Sequence, residues 1–177
     1  TRDANDAEKL ASNLDQLNTS RKGIVGGVVR EAKKRVKERF NAEEKVVVLG
    51  NTEWKPSLLG LAANSIVEER GGIVCLWGRD AKGNLKGSCR SDGSISVVEL
   101  FANSGDSLLE FGGHNAAGGF SVSHERVHTL HEALVLAAKD LWKKADTTVE
   151  VSASDARASL SEVTPLLFKE VSCLAPF

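Results

Sequence analysis

The sequence contains no methionine, not even at its first position, and only three cysteines among 177 residues. The missing methionine, together with a first residue already inside a helical pattern, points to a piece excised from a longer protein. Cysteines 75, 89 and 173 are too few and too widely spaced for a disulfide framework or a zinc knuckle. A reduced, cytoplasmic setting is the simpler expectation. No apolar run approaches the roughly 20 residues that span a bilayer, and no signal peptide opens the chain. No membrane partner is therefore expected. Internal repeats and low-complexity tracts are absent too. So is any global charge: 23 Lys and Arg against 24 Asp and Glu leave a formal −1, which advertises no polyanionic partner.

Hydrophobic residues make up 41% of the chain, enough at this length to bury a substantial core. One domain with an appendage is the prior. The charge is uneven. From Arg21 to Phe40 eight Lys or Arg face only Glu31 and Glu38, a local excess of +6, and after Asp146 the balance turns acidic.

Along the chain, Ala7, Leu10, Ala11, Leu14, Leu17, Ile24, Val25, Val28, Val29, Ala32, Val36 and Phe40 recur at helical spacing. Gly23, Gly26 and Gly27 weaken the middle, so one long helix or two joined by a kink is expected. Its basic face reads equally as nucleic-acid contact or as the solvated side of a connector. Lys45–Gly50 is a Val-rich strand. Pro56 suits a first helical turn, and Ser57–Arg70 reads as a helix closed by Gly71 and Gly72. Ile73–Gly78 and Leu85–Ser91 form a predicted hairpin around Gly83. Ser96 and Glu99 make a capping box, and a second short helix is expected over Ser107–Phe111. Phe120–Val122 is a brief strand. His124–Ala145 is an amphipathic helix, Thr147–Ser152 a strand, and Thr164-Pro165 opens a last helix. The class is α/β: a mixed β-sheet flanked by helices, preceded by a long N-terminal connecting helix.

Two short segments carry candidate chemistry. Gly87-Ser88-Cys89-Arg90-Ser91 ends a predicted strand, where α/β proteins commonly place binding residues. Arginine offers a planar fork of donors to phosphate oxygens, and serine hydroxyls with free backbone N–H groups complete such a cradle. The plain alternative is a strand with an exposed arginine entering a turn. Phe111-Gly112-Gly113-His114 opens a glycine-rich stretch that runs to Phe120. It reads as a nest of N–H groups with an oriented histidine, or as a flexible helix-to-strand loop.

Trp54 beside Lys55 either stacks on a base or packs in the core. His124, His128 and His131 have metal-compatible spacing but no companion cysteine, and they read as a solvated helix edge. Cys75 and Cys173 read as inert. Cys89 has no base beside it and is not read as a nucleophile.

Taken in order, these segments resemble the RecJ family of bacterial single-strand-specific 5′→3′ exonucleases, which belong to the DHH phosphoesterases. The likeness runs over nearly the whole chain. Leu17, Asn18 and Arg21 match the family's Leu-Asn-x-x-Arg pattern. Trp54, Pro56 and Gly60 match its Trp-His-Pro-Gly-x-x-Gly segment, from which Lys55 and Ser57 depart. Gly87, Ser88, Arg90 and Ser91 match Gly-Ser-Ala-Arg-Ser, with Cys89 in place of alanine. Phe111, Gly112, Gly113, His114, Ala117 and Gly118 match Phe-Gly-Gly-His-x-x-Ala-Gly. Leu174–Phe177 resembles the start of a linker into an oligonucleotide-binding barrel. One departure is Ala63-Asn64-Ser65 where the family has Ala-Ser-Arg.

The resemblance implies an interdomain connecting helix over 1–42 and a DHH-associated substrate-binding domain over 43–177. It implies single-stranded DNA as substrate, held at its terminal nucleotide by Ser88, Arg90, Ser91, Gly112, Gly113 and His114, with Asn18, Arg21 and Trp54 along the strand's path. Mn²⁺ or Mg²⁺ would sit in a separate N-terminal domain, because no Asp-His-His motif occurs here. That domain and the barrel would be intramolecular partners, and a helicase or single-strand-binding protein an external one. The implied setting is DNA repair and recombination, with catalysis outside this chain. Relatives that degrade very short RNAs or cyclic dinucleotides are the alternative, but they usually carry a longer glycine run before the histidine. A non-catalytic nucleic-acid-binding homologue is another.

Overall fold

The computed structural model describes residues 3–145, 159 and 161–173. Two compact units divide the chain, Thr1–Thr147 and Thr148–Phe177. In the first, helix α1 runs unbroken from Ala4 to Arg39, capped by the Asp3 carboxylate on the Asn5 N–H. The three central glycines do not kink it. Only its C-terminal half is anchored: Val28, Ala32 and Val36, four residues apart, are buried, whereas Leu10, Leu14 and Leu17 are exposed.

Strands β1 (Val46–Gly50), β2 (Ile73–Arg79), β3 (Leu85–Ser91), β4 (Glu110–His114) and β5 (Ala117–Val122) form one sheet in the order β1-β2-β3-β5-β4. β1 and β2 are parallel, joined by a 3₁₀ turn, Pro56–Leu58, and helix α2, Leu59–Arg70; the other pairs are antiparallel. Gly71, at φ 70°, ends α2 in a conformation glycine adopts without penalty. The sheet alternates with period two. Val47, Leu49, Val74 and Leu76 face α1 and α2. Val46, Ile73, Cys75, Cys89, Phe120 and Val122 face α3 (Val97–Ala102) and α4 (Leu130–Ala145). The mixed sheet between helices is as expected from the sequence.

Three expectations fail. Residues 107–111 are not helical: a 3₁₀ turn spans Gly105–Ser107, and β4 then begins at Glu110. Pairing with β5 and the packing of Phe111 edge-on against Phe101, at 5.7 Å, outweigh the local helical spacing. The glycine-rich segment is consequently a β-hairpin, not a loop or an N–H nest. Consecutive N–H groups of an extended strand point in opposite directions and do not converge on an anion. Helix α4 starts at Leu130 rather than His124, because Ser123–Thr129 is taken up by turns, with Ser123 Oγ accepting from the Arg126 N–H at 3.2 Å. The strand expected over Thr147–Ser152 lies outside the described residues.

In the second unit, α5 runs from Pro165 to Ser172, capped by Thr164 Oγ1 on the Leu167 N–H. No helix among the described residues is long and apolar enough to cross a membrane.

Candidate functional site

The register assembles what the sequence holds apart. Arg90 pairs with Ala117 on β5, and Ala117 with His114 on β4; one step along, Ser88 pairs with Gly119, and Gly119 with Gly112. Residues directly opposite in a sheet share a face, so Ser88, Arg90, Gly112 and His114 lie together on the α2 side. Two strand spacings, about 9.6 Å, separate the Arg90 and His114 backbones. Helix α1 lies over β1, and α2 over β2 and β3. Beyond it Gly112, His114 and Gly119 are exposed, so the site is an open trough on the sheet with a floor of small residues.

The Arg90 side chain is half-buried at the trough's inner wall. Its Nη1 donates to the Cys89 carbonyl at 2.8 Å, and a Cβ on Gly60 would lie 2.6 Å from its Nη2. The guanidinium thus rests on the bare backbone of α2's second residue. Among the described residues it has no carboxylate partner. Neither the Ser88 hydroxyl nor the His114 ring has a hydrogen-bond partner there. A guanidinium with only Nη1 engaged, a hydroxyl and an imidazole on one open face suit an anionic oxygen cluster attached to a flat group.

The glycines divide into two kinds. A Cβ on Gly113, whose φ is 148°, would run into the Ala117 carbonyl, and one on Gly118 would lie 2.7 Å from Val97 Cγ1. Both are needed for the hairpin to close on α3. Gly112 would meet nothing within 4 Å, and Gly119 only the Gly87 carbonyl at 3.8 Å. Packing does not require those two; they leave the floor clear.

Several candidate residues stand elsewhere. Ser91 lies on the opposite face, 9% exposed, donating to the Ile95 carbonyl at 2.8 Å and accepting from the Gly93 N–H. Period two separates it from Arg90, so it closes a turn and does not join the cradle. Trp54 is 4% exposed, with Nε1 donating to Glu31 Oε2 at 2.9 Å and Arg35 stacked 5.5 Å above its ring. It is a core residue that ties α1 to the start of α2, not an open stacking surface. The Trp54 hydrogen bond is the main influence on Glu31; with those from Asn51 and Arg35 it outweighs burial and holds the carboxyl below its usual range. Asn18 and Arg21 share the exposed part of α1, Arg21 Nη2 donating to Asn18 Oδ1 at 3.1 Å.

Sequence reasoning missed the seat of Arg90 on Gly60 and the cross-strand contact of Cys75 with Cys89. The first had a signal, since both residues belong to recognisable motifs. The second had only an alternation whose partner strand was known.

His131 Nε2 lies 3.3 Å from the Val46 carbonyl and His124 Nε2 3.2 Å from that of Gly83, so these histidines are dispersed. Among the described residues no group of three His, Cys, Asp or Glu could hold a metal ion. They do not fit a divalent cation.

The open sheet face beside α2 thus carries Ser88, Arg90 and His114 on one side of a mixed sheet. The DHHA1 domain model matches residues 43–140, and the chain belongs to that family. It is 30% identical over 99% of its length to the single-stranded-DNA-specific exonuclease RecJ of Bacillus subtilis (strain 168), and 30% identical over its full length to that of Thermus thermophilus. It spans 22% and 25% of those two proteins. The crystal structure of Thermus thermophilus RecJ in complex with Mg²⁺ aligns with all of this chain at a TM-score of 0.70 and 28% identity, covering 27% of that chain. A second structure of that protein holds Mn²⁺.

Proposed function

We propose that this chain is the substrate-binding part of a RecJ-like 5′→3′ exonuclease, and that its trough holds the terminal nucleotide of single-stranded DNA. What supports the reading above all is the row Arg90–Ala117–His114 beside Ser88–Gly119–Gly112, with an arginine that no carboxylate among the described residues engages. Arg90 and Ser88 bind the terminal phosphate by charge-assisted hydrogen bonds, and His114 reaches the same group or its sugar from the far side. Gly112 and Gly119 let the nucleotide lie against the sheet. Residues 1–42 connect this domain to a metal-bearing one, and Asn18 and Arg21 line the strand's path. The domain over 43–177 carries the grip and not the hydrolysis: metal-dependent nuclease activity in the purified chain would overturn that division.

The remaining setting follows from the same reading. The divalent ion, Mn²⁺ or Mg²⁺, acts in the other domain on a water that attacks the phosphodiester, and the parent works in the cytoplasm in DNA repair and recombination. A helicase or single-strand-binding protein supplies the strand.

The test is a salt-titrated binding assay with short single strands bearing a 5′-phosphate or a 5′-hydroxyl. Wild type is expected to prefer the phosphate. Arg90→Ala and His114→Ala are each expected to lose about 1–3 kcal/mol of that preference, roughly 5- to 150-fold. Binding that ignores both substitutions and fades only with salt would leave the basic face of α1 as the sole contact.

A further inference from the structure

Beneath the Arg90 strand, on the opposite face of the sheet, sit two cysteines that were unremarkable in the sequence. Cys75 on β2 and Cys89 on β3 are direct antiparallel partners, both 0% exposed, with sulfurs 2.9 Å apart. Opposed positions on antiparallel strands have Cα separations of about 4.5–5.5 Å, inside the span a disulfide tolerates. We propose that Cys75 and Cys89 are an oxidisable dithiol, closed to a disulfide across β2 and β3 by a hydroperoxide-class oxidant.

The chemistry runs in two balanced steps. The Cys89 sulfur, which accepts the Cys75 S–H, attacks the peroxide oxygen; the O–O bond breaks, an alcohol or water leaves, and Cys89 becomes a sulfenic acid. The Cys75 sulfur then attacks the Cys89 sulfur, the S–O bond breaks, and water departs with the thiol proton. Two thiols and one peroxide yield one disulfide, one water and one alcohol. Burial and the neighbouring Cys89 push the Cys75 thiol well up, so it waits as a protonated partner. Burial makes the first step slow, since it needs the sheet to open briefly. The second is fast because the trapping thiol is already in contact. The cross-link has a local consequence: the Cys89 carbonyl is the acceptor of Arg90 Nη1.

The test uses the whole chain with Cys173→Ser, which removes the exposed third thiol. Hydrogen peroxide is expected to lower the intact mass by two hydrogens. Non-reducing peptide mapping should join the Cys75 and Cys89 peptides, and the melting temperature should rise by several degrees, reversibly with a dithiol reductant. Adding Cys89→Ala, a small residue at that position, should abolish the mass loss while the protein stays folded. Retention of both free thiols in the folded protein under hours of peroxide overturns the proposal. So does oxygen addition without cross-linking, or a mass loss that survives Cys89→Ala.

Discussion

Replacing Gly60 by alanine separates binding from stability in a way few substitutions do. The added Cβ would lie 2.6 Å from Arg90 Nη2 and 3.3 Å from Cζ, against ordinary contacts of about 3.4–4 Å. The obstacle is the end of a flexible side chain, so the guanidinium retreats by about 1 Å and the backbone stays where it is. Alanine in the first turn of α2 is also a better helix former, by at most about 1 kcal/mol. Stability should therefore hold or rise, with a melting temperature up by as much as about 2–4 °C. Phosphate binding should fall. A retreat of 1 Å carries a 2.9 Å hydrogen bond beyond its useful range, and a charge-assisted bond contributes about 1.5–3 kcal/mol, or roughly 10- to 150-fold. Melting temperature and affinity for 5′-phosphorylated single-stranded DNA, measured on one preparation, give both numbers. A variant that is folded, as stable as wild type and undiminished in phosphate preference would refute the seat of Arg90 on Gly60 as a determinant of the site.

Two more outcomes follow from the same geometry. Gly113→Ala forces a side chain onto a φ of 148° and into the Ala117 carbonyl, and should cost more than about 2 kcal/mol by thermal or urea unfolding, whereas Gly112→Ala meets nothing within 4 Å and should cost under about 1. Equal costs would contradict the hairpin geometry. Acid should destabilise the fold in a defined window. Burial raises the Asp80 carboxyl, but hydrogen bonds from Asn84, Lys86 and Lys82 outweigh it and hold the group at about 2, and Glu31 is lowered as well. A carboxyl whose folded pKa is depressed stabilises the fold above its unfolded value near 4, and this contribution fades as pH falls towards the folded value. Melting temperatures should decline from about pH 4 downwards, and less steeply in Asp80→Asn; a flat profile to pH 2.5 would contradict it.

Local chemistry made much of this molecule legible in advance. Ser96 caps α3 by accepting from the Glu99 N–H, Gly71 ends α2, and Gly83 turns the β2–β3 hairpin, each through interactions within a few residues. What failed depended on partners distant in sequence. The short helix expected over Ser107–Phe111 gives way to β4 beside β5, because a strand partner is decided by tertiary pairing rather than by propensity. The same limit governed the site. Ser91 sits next to Arg90 in the chain yet faces the other layer, and Trp54, adjacent to the charged Lys55, turns inward to Glu31 on a helix 23 residues earlier. The rows that join Arg90 to His114 follow from the order β3-β5-β4, which the hydrophobic pattern alone does not encode.

The most direct measurement is a backbone amide map by NMR, titrating a short 5′-phosphorylated single strand into the isotope-labelled chain. Shifts should concentrate at Ser88, Arg90, Gly112, His114 and Gly119, with Gly60 following through Arg90, and an otherwise identical 5′-hydroxyl strand should leave these positions nearly unmoved. Shifts confined to residues 21–39 of α1, equal for both strands, would contradict a phosphate-holding trough.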